Sequence, residues 1–411
     1  MTDGLKEQVE TLTADLNPMQ HLKNLDYPRR AGTEGDRKAA AYIAEVLQNL
    51  GLEPTTQTFR FEKRKVLPRL ILPLVLLVWT ALSLANVRYW ESNLVVSLIV
   101  LALPLALLLL ILNLKWFMRH SFGRQRRKLA QVETKLAEGT LRADQVVTSQ
   151  NVTAEIGPED AERQILLTAH LDSISSKLPS MISMFCMLLG MIGFLSYSAV
   201  YLLHVVRGPF LHLDFPFWAG LALTTLLLLE ISFVSRMFRG NASHGIIDDG
   251  TGVAILLELA QYVQEHPIPG TKFTFGFFGA EEAGLIGSAY YYLQCAASKA
   301  KPHVISIDMI GEKAPLNYVK GISVGRLRMG EAFNEQIASI AESLDIEIKG
   351  KRFPYPGSDF GHFLLDGEHT TNWLINKSRV IHSKKDRLGH VNQDLVDDAL
   401  KLMVAYLSRL G

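Results

Sequence analysis

Three stretches of the chain end in groups that bind metals or move protons. QILLTAHLD closes on His170 and Asp172, KFTFGFFGAEE on Glu281 and Glu282, and HVISID on Asp308. Two more add similar groups: IIDDGTG offers Asp248 and Asp249, and VIHSKKD offers His382. Imidazole and carboxylate both suit a divalent ion such as zinc, and a carboxylate can also take up a proton. In an extended segment, residues two apart lie on one side, which lets Asp172 hydrogen-bond the imidazole of His170 and fix its tautomer. Singly, an HxD is commonly a turn pair and a Glu-Glu pair a solvated helix start. Five such stretches in one chain point to a single site.

The elements that would carry these groups are short and apolar. Residues Gln164 to Ala169, Lys272 to Phe278 and His303 to Ile307 are rich in β-branched and aromatic residues and read as buried strands. In open α/β sheets, sites gather outside the carboxyl ends of the strands, so groups far apart in sequence can meet there. DRKAAAYIAEVLQNL, from Asp36 to Leu50, has helical periodicity and stops at Gly51. TGVAILLELAQYVQEH reads as an apolar helix opened by a Gly/Thr turn.

Composition narrows the classes. With 411 residues the chain can bury a substantial core. Its 42 Lys plus Arg against 41 Asp plus Glu give a net charge of +1, which speaks against nucleic acid as a partner. Two cysteines, Cys186 and Cys295, make neither a disulfide framework nor a thiolate metal site. The start, MTDGLKEQVETLTADLNP, lacks the basic and apolar regions of a cleaved secretory signal.

In chain order the motifs are YPRRAGTEGDRKAAAYIAEVLQNLG, AHLDS, IIDDGTGVAILLELA, GAEEAGLIGS, SIDMIG, YPGSDFGHF and IHSKKD. This series resembles the two-zinc aminopeptidase and carboxypeptidase family of the MH clan, of the bacterial leucyl aminopeptidase and glutamate carboxypeptidase type. The resemblance implies an α/β fold with a central mixed β-sheet flanked by helices, and two co-catalytic Zn2+ ions. It implies that His170 and Asp308 hold one ion, Glu282 and His382 the other, and that Asp248 bridges them, with Asp249 as the competing bridge. Glu281, beside a ligand, would be the general base, and Asp172 would assist catalysis through His170. Asp359 in GSDFGHF falls where relatives line the substrate pocket, and Asp386 could orient the His382 imidazole. Where some relatives carry a tyrosine before the late histidine, this chain has Ile381. His244, His362 and His390 read as structural or exposed. The implied activity is that of a zinc-dependent exopeptidase acting on peptides, an aminopeptidase rather than a carboxypeptidase. A single-zinc glutaminyl cyclase shares the fold and is the alternative, followed by an inactive membrane binding module.

Four apolar runs fall outside the resemblance: Leu70 to Val87, Ser92 to Leu114, Leu178 to Leu203 and Phe215 to Ser235. Each approaches or exceeds the ~20 residues that cross a bilayer as a helix. They pair as two hairpins through short links, around Arg88 to Glu91 and His204 to Asp214. The expected division is therefore peptidase residues 1–65, 119–177 and 239–411, with transmembrane hairpins at 66–118 and 178–238. Arg60, Arg64, Lys115, Arg119, Lys177 and Arg239 flank the hairpins on the side of the polar parts, while the links offer only Arg88 and Arg207. The positive-inside rule then gives a multi-pass protein of the plasma or inner membrane with a cytoplasmic catalytic part, and the lipid bilayer as a partner.

Overall fold

Strands buried on both faces need near-continuous apolar runs, and this chain supplies them where the sheet is deepest. Phe273, Phe275 and Phe277 pack with Ile165, Leu167, Ile305 and Ile307 in one core. The computed structural model describes residues 2–63, 66–89, 93–207, 214–235, 237–295, 301–323, 327–354, 356–364 and 371–411. Contacts divide the chain into two units. One comprises Met1–Lys63, Lys115–Ser175 and Gly240–Gly411, and the other Arg64–Leu114 and Ser176–Arg239.

The larger unit is built on a nine-stranded mixed sheet. Its strands are β1 (Thr55–Glu62), β2 (Val146–Ile156), β3 (Arg163–His170), β4 (Thr271–Phe278), β5 (His303–Asp308), β6 (Lys313–Ile322), β7 (Leu327–Arg328), β8 (Ile348–Phe353) and β9 (Thr371–Lys377). The order is β1-β2-β4-β3-β5-β9-β6-β8, with β7 beside β6. At the centre, β4, β3, β5 and β9 run parallel. Register sets the level of their ends: His170 pairs with Phe278, and Thr168 with Ser306. Asp308, two past Ser306, is thus level with His170. The three expected strands are all present, each a residue or so longer than its apolar run. Helices flank the sheet. The helix Thr251–Glu265 is buried from Thr251 through Ala260 without a break, as a helix apolar all round must be. The helix Glu34–Asn49 instead presents one face, Ala39, Ala40, Ile43 and Leu47, to the core.

The smaller unit holds four helices, Val66–Tyr89, Leu94–Leu112, Ser180–Arg207 and Phe215–Ser235. By length and composition all four could cross a membrane. Their starts and stops follow local chemistry: Asn93 caps the second helix by accepting from the amides of Val95 and Val96. Parts of both links, residues 90–92 and 208–213, lie outside the described residues. The interior is an apolar cluster that includes Trp79, Phe194 and Trp218, with a few hydrogen-bonded polar groups among them. Asn86, fully buried, donates to Ser97 Oγ (2.8 Å) and Tyr201 Oη (2.6 Å), and Tyr197 Oη donates to Ser83 Oγ at 2.9 Å. Leu98, Leu108, Leu112, Leu188, Leu223 and Leu227 face outward and are exposed. Close approach of the last two helices depends on glycine. A Cβ at Gly193 would lie 2.4 Å from Thr225 Oγ1, and one at Gly190 2.8 Å from Leu229 Cδ2.

Candidate metal centre

The parallel run β4-β3-β5 brings four acid or imidazole groups to one edge. His170 is the last residue of β3 and Asp308 of β5, while Glu281 and Glu282 follow β4 by three and four residues. The chain turns sharply there. Ala280, Met309 and His382 all adopt left-handed backbone (φ 56°, 57° and 56°), a conformation that costs a residue with a Cβ roughly 1–2 kcal/mol. Such outliers gather where side-chain direction matters more than local stability.

Asp248 stands between two imidazoles. Its Oδ1 is 3.0 Å from His170 Nε2, and its Oδ2 is 3.1 Å from His382 Nε2. Asp308 Oδ1 lies 3.9 Å from His170 Nε2, and Glu282 Oε1 lies 2.7 Å from His382 Nε2. Two ligand sets result, His170–Asp248–Asp308 and Asp248–Glu282–His382, each with donor atoms within 4.8 Å of one another. Donors held ~2.0–2.1 Å from a tetrahedral zinc sit roughly 3.3–3.4 Å apart, so both sets are of the right size. A buried oxygen supports the fit: Asp308 Oδ1 has no hydrogen-bond partner among the described residues, and a carboxylate oxygen left so is costly unless a cation meets it. These are two candidate metal sites that share Asp248 and suit a two-zinc centre.

Asp249 does different work. Its Oδ1 accepts from the amides of Gly252 and Met309, and its Oδ2 from the amide of His170. Committed to three backbone donors, it ties β3, the turn after β5 and the start of the Thr251 helix together. Asp172 also acts through the backbone. The nearest approach to His170 Nδ1 is by the Asp172 carbonyl (3.1 Å), with its carboxylate at 3.7 Å. Asp172 Oδ1 instead accepts the Glu281 amide at 2.8 Å. The expected carboxylate–imidazole bond is thus replaced by a carbonyl contact, and the carboxylate holds Glu281. Asp386, foreseen beside His382, accepts from the amide of Ile247 at 2.7 Å and so holds the strand of chain leading to Asp248.

Charge crowding is severe. Burial opposes a charge on His170, yet Glu281, Asp172 and Asp248 hold its pKa well above the usual value. Burial, reinforced by Glu282, Asp359 and Asp308, pushes Glu281 well up. Asp308 is raised to about 7 by burial and by Asp248. Asp248 moves the other way: burial would raise it, but His170 and His382 hold it far below the carboxylate range. Asp359 is buried, neither of its oxygens has a hydrogen-bond partner among the described residues, and burial raises it to about 6 against the opposing effects of His170 and Ser288. A chain of hydroxyls, Thr168 to Ser306 (2.7 Å) and Ser306 to Ser358 (3.1 Å), seats the segment that carries it. His362 is structural, its Nε2 donating to the Leu285 carbonyl at 3.1 Å, and His244 pairs with Asp26 at 2.7 Å.

Arg29 was not foreseen. It is fully buried, and its guanidinium donates to the carbonyls of Leu25, Leu171, His244 and Gly245. The YPRRAGT motif contains it, but nothing in that stretch distinguishes a buried arginine from its exposed neighbour Arg30.

With a two-metal ligand set in place, the comparisons with known proteins converge. Residues 228–407 match the model of Peptidase family M28. The larger unit carries two candidate metal sites that share Asp248, consistent with a two-zinc co-catalytic centre. Leupeptin-inactivating enzyme 1 of Streptomyces exfoliatus is 38% identical over 172 residues, 37% of this chain and 39% of that protein. An aminopeptidase of Pseudomonas aeruginosa is 28% identical over 193 residues, 40% of this chain and 36% of its own. The chain thus spans about two fifths of the curated relatives it matches. Among solved structures, an aminopeptidase from Aneurinibacillus sp. strain AM-1 has a TM-score of 0.55 at 14% identity, covering 98% of this chain and 95% of its own. At that identity the likeness establishes the fold, a mixed sheet flanked by helices.

The expected localisation is corrected by the same structures. Likeness over 95–98% of the chain is to solved structures titled as aminopeptidases, and it indicates no membrane protein. The multi-pass assignment to the plasma or inner membrane, with a cytoplasmic catalytic part, does not stand. Helix length and flanking charge describe what a segment could do in a bilayer, and a compartment or a side does not follow from them.

Proposed function

We propose that the chain is a zinc-dependent aminopeptidase that hydrolyses the first peptide bond of peptides with a free amino terminus. The observation that carries this reading is the pair of ligand sets joined through Asp248, with Glu281 beside them, its Oε2 4.0 Å from His170 Nε2. His170 and Asp308 would hold one ion, Glu282 and His382 the other. Two such ions would supply Lewis acidity and lower the pKa of a water between them. Glu281, raised by burial and acidic neighbours, is suited to take the proton as water adds to the scissile carbonyl, and to deliver it to the amine as the C–N bond breaks. Asp172, holding the Glu281 amide and the His170 ring, keeps base and ligand in register. Asp359, a buried carboxylate whose oxygens have no hydrogen-bond partner among the described residues, fits the protonated amino terminus of the substrate.

The test is turnover of a peptide panel with free and acetylated amino termini, run with wild type and Glu281→Gln. Release of the first residue from free peptides only, abolished in Glu281→Gln with zinc content unchanged, is the expected result. Cleavage from the carboxyl end would make it a carboxypeptidase, and ammonia release from amino-terminal glutamine without hydrolysis would make it a cyclase.

The reading extends to lipid as the phase that covers the four-helix unit. It is supported by the leucines that these helices turn outward, among them Leu98, Leu188, Leu223 and Leu227. Complete release from vesicles by alkaline carbonate without detergent would end this part of the reading.

A further inference from the structure

We infer that Arg29 is a positioning residue that fixes the spacing of His170 and Asp248, and through it the affinity of the first metal site. This rests on the two-metal reading above. Arg29 touches neither ligand. Its Nε donates to the carbonyl of Leu171, the residue after His170, at 2.9 Å. Its Nη2 donates at 2.8 Å to Gly245, three residues before Asp248, and its Nη1 to His244. One planar fork therefore spans the two stretches of chain that present the first site's ligands.

The joint is tight on both sides. The Arg29 amide donates to Ser173 Oγ at 2.9 Å, and Ser173 Oγ donates to the carbonyl of Ser243 at 3.1 Å. The Gly245 carbonyl also accepts the Gly250 amide at 2.8 Å, closing the turn that holds Asp248. Gly245 has φ 59°, and a Cβ there would sit 2.4 Å from Ser173 Cβ, so the two stretches are already in contact. The guanidinium is also the positive charge felt by Asp386, Asp172 and Asp249. The far side of the same turn is held separately, by Asp386 on the Ile247 amide. Loss of the fork would thus loosen the His170 side and leave the His382 side anchored.

Lysine keeps the charge and loses the fork, because an ammonium donates from one point and cannot span carbonyls on different segments. The experiment reads each site alone. Glu282→Gln disables the second set and Asp308→Asn the first, and cobalt(II) absorption titrations give the affinity of the site that remains. Adding Arg29→Lys to Glu282→Gln should weaken cobalt binding ~10–100-fold, the range for groups that orient ligands, and alter the cobalt spectrum. Adding it to Asp308→Asn should change affinity less than threefold. Equal affinity with and without Arg29→Lys at the first site overturns the inference, and so does equal weakening at both sites. Should Arg29→Lys fail to fold, Ser173→Ala reads the same joint: weakening confined to the first site supports the inference, and unchanged affinity there overturns it. Failure of the wild type to bind two ions would instead remove the reading beneath it.

Discussion

Substituting Asp248 should cost more than substituting any ligand of one set, because each of its oxygens faces a different imidazole, at 3.0 and 3.1 Å. Asparagine can offer an oxygen to only one of them and turns an amide toward the other. Zinc that binds the folded chain alone stabilises it by ~2.7 kcal/mol per site at a hundredfold excess over the dissociation constant. Two independent sites give roughly 5 kcal/mol, or about 10 °C in melting temperature at ~2 °C per kcal/mol for a large domain. Asp308→Asn and Glu282→Gln each remove one share, leaving a zinc-induced rise of about 5 °C. Asp248→Asn should leave well below that, with less than one zinc per chain by elemental mass spectrometry. Thermal unfolding with and without zinc, on all three variants, is the assay. An Asp248→Asn protein that keeps as large a zinc response as Asp308→Asn would refute the shared bridge.

Other expectations come from sites away from the metals. Asp36 is fully buried, accepting from the Gly32 amide (2.8 Å) and Ser149 Oγ (3.1 Å), and burial lifts its pKa from 3.8 to about 7. The folded state then keeps a proton that the unfolded state loses, so this contribution is full below pH 3.8 and is lost as pH rises to about 7. Of that change roughly 3 kcal/mol falls between pH 5 and 8, and Asp36→Asn should flatten it in denaturant titrations at those two pH values; an unchanged slope would rule it out. Burial, with Arg126 nearby, lowers His362 to about 3, so its ring resonances should not titrate between pH 5 and 8 by NMR. Gly193→Ala should destabilise the four-helix unit by ~1–3 kcal/mol through its clash with Thr225; an unchanged melt in detergent would show that the two helices have room to part.

Much of the candidate site's architecture was legible because strands buried on both faces write themselves as apolar runs that end abruptly. His170 and Asp308 stand at such ends, and their level follows from register. The preference for Asp248 over Asp249 came from the resemblance, since the two side chains are identical; the structure explains it through three backbone amides that converge on Asp249 from distant segments. Asp172 was assigned the right neighbour through the wrong atom, since sequence says nothing about whether a carbonyl or a carboxylate reaches an imidazole first. The basic helix Leu114–Ala130 went unread because its apolar stripe, Leu114, Met118, Phe122 and Leu129, is broken at Gln125 and set among basic residues; Gln125 donates to the Gly284 carbonyl and Leu129 packs with Phe59 and Ala280. Arg29 was invisible for a related reason: its role is defined by carbonyls more than a hundred residues away.

The strand order has a consequence for synthesis on the ribosome. β3 pairs with β4 and β5 and not with β2, so the strand that bears His170 emerges with no partner. It stays so until about a hundred further residues, including two long apolar helices, have been made. Ile165, Leu166 and Leu167, all buried in the finished sheet, form an open β edge during that interval, the kind of surface that associates with other nascent chains. A ribosome stalled before residue 271 would hold an unpaired apolar strand and no metal site. Completion of the sheet and assembly of the ligand set therefore fall together, late in translation.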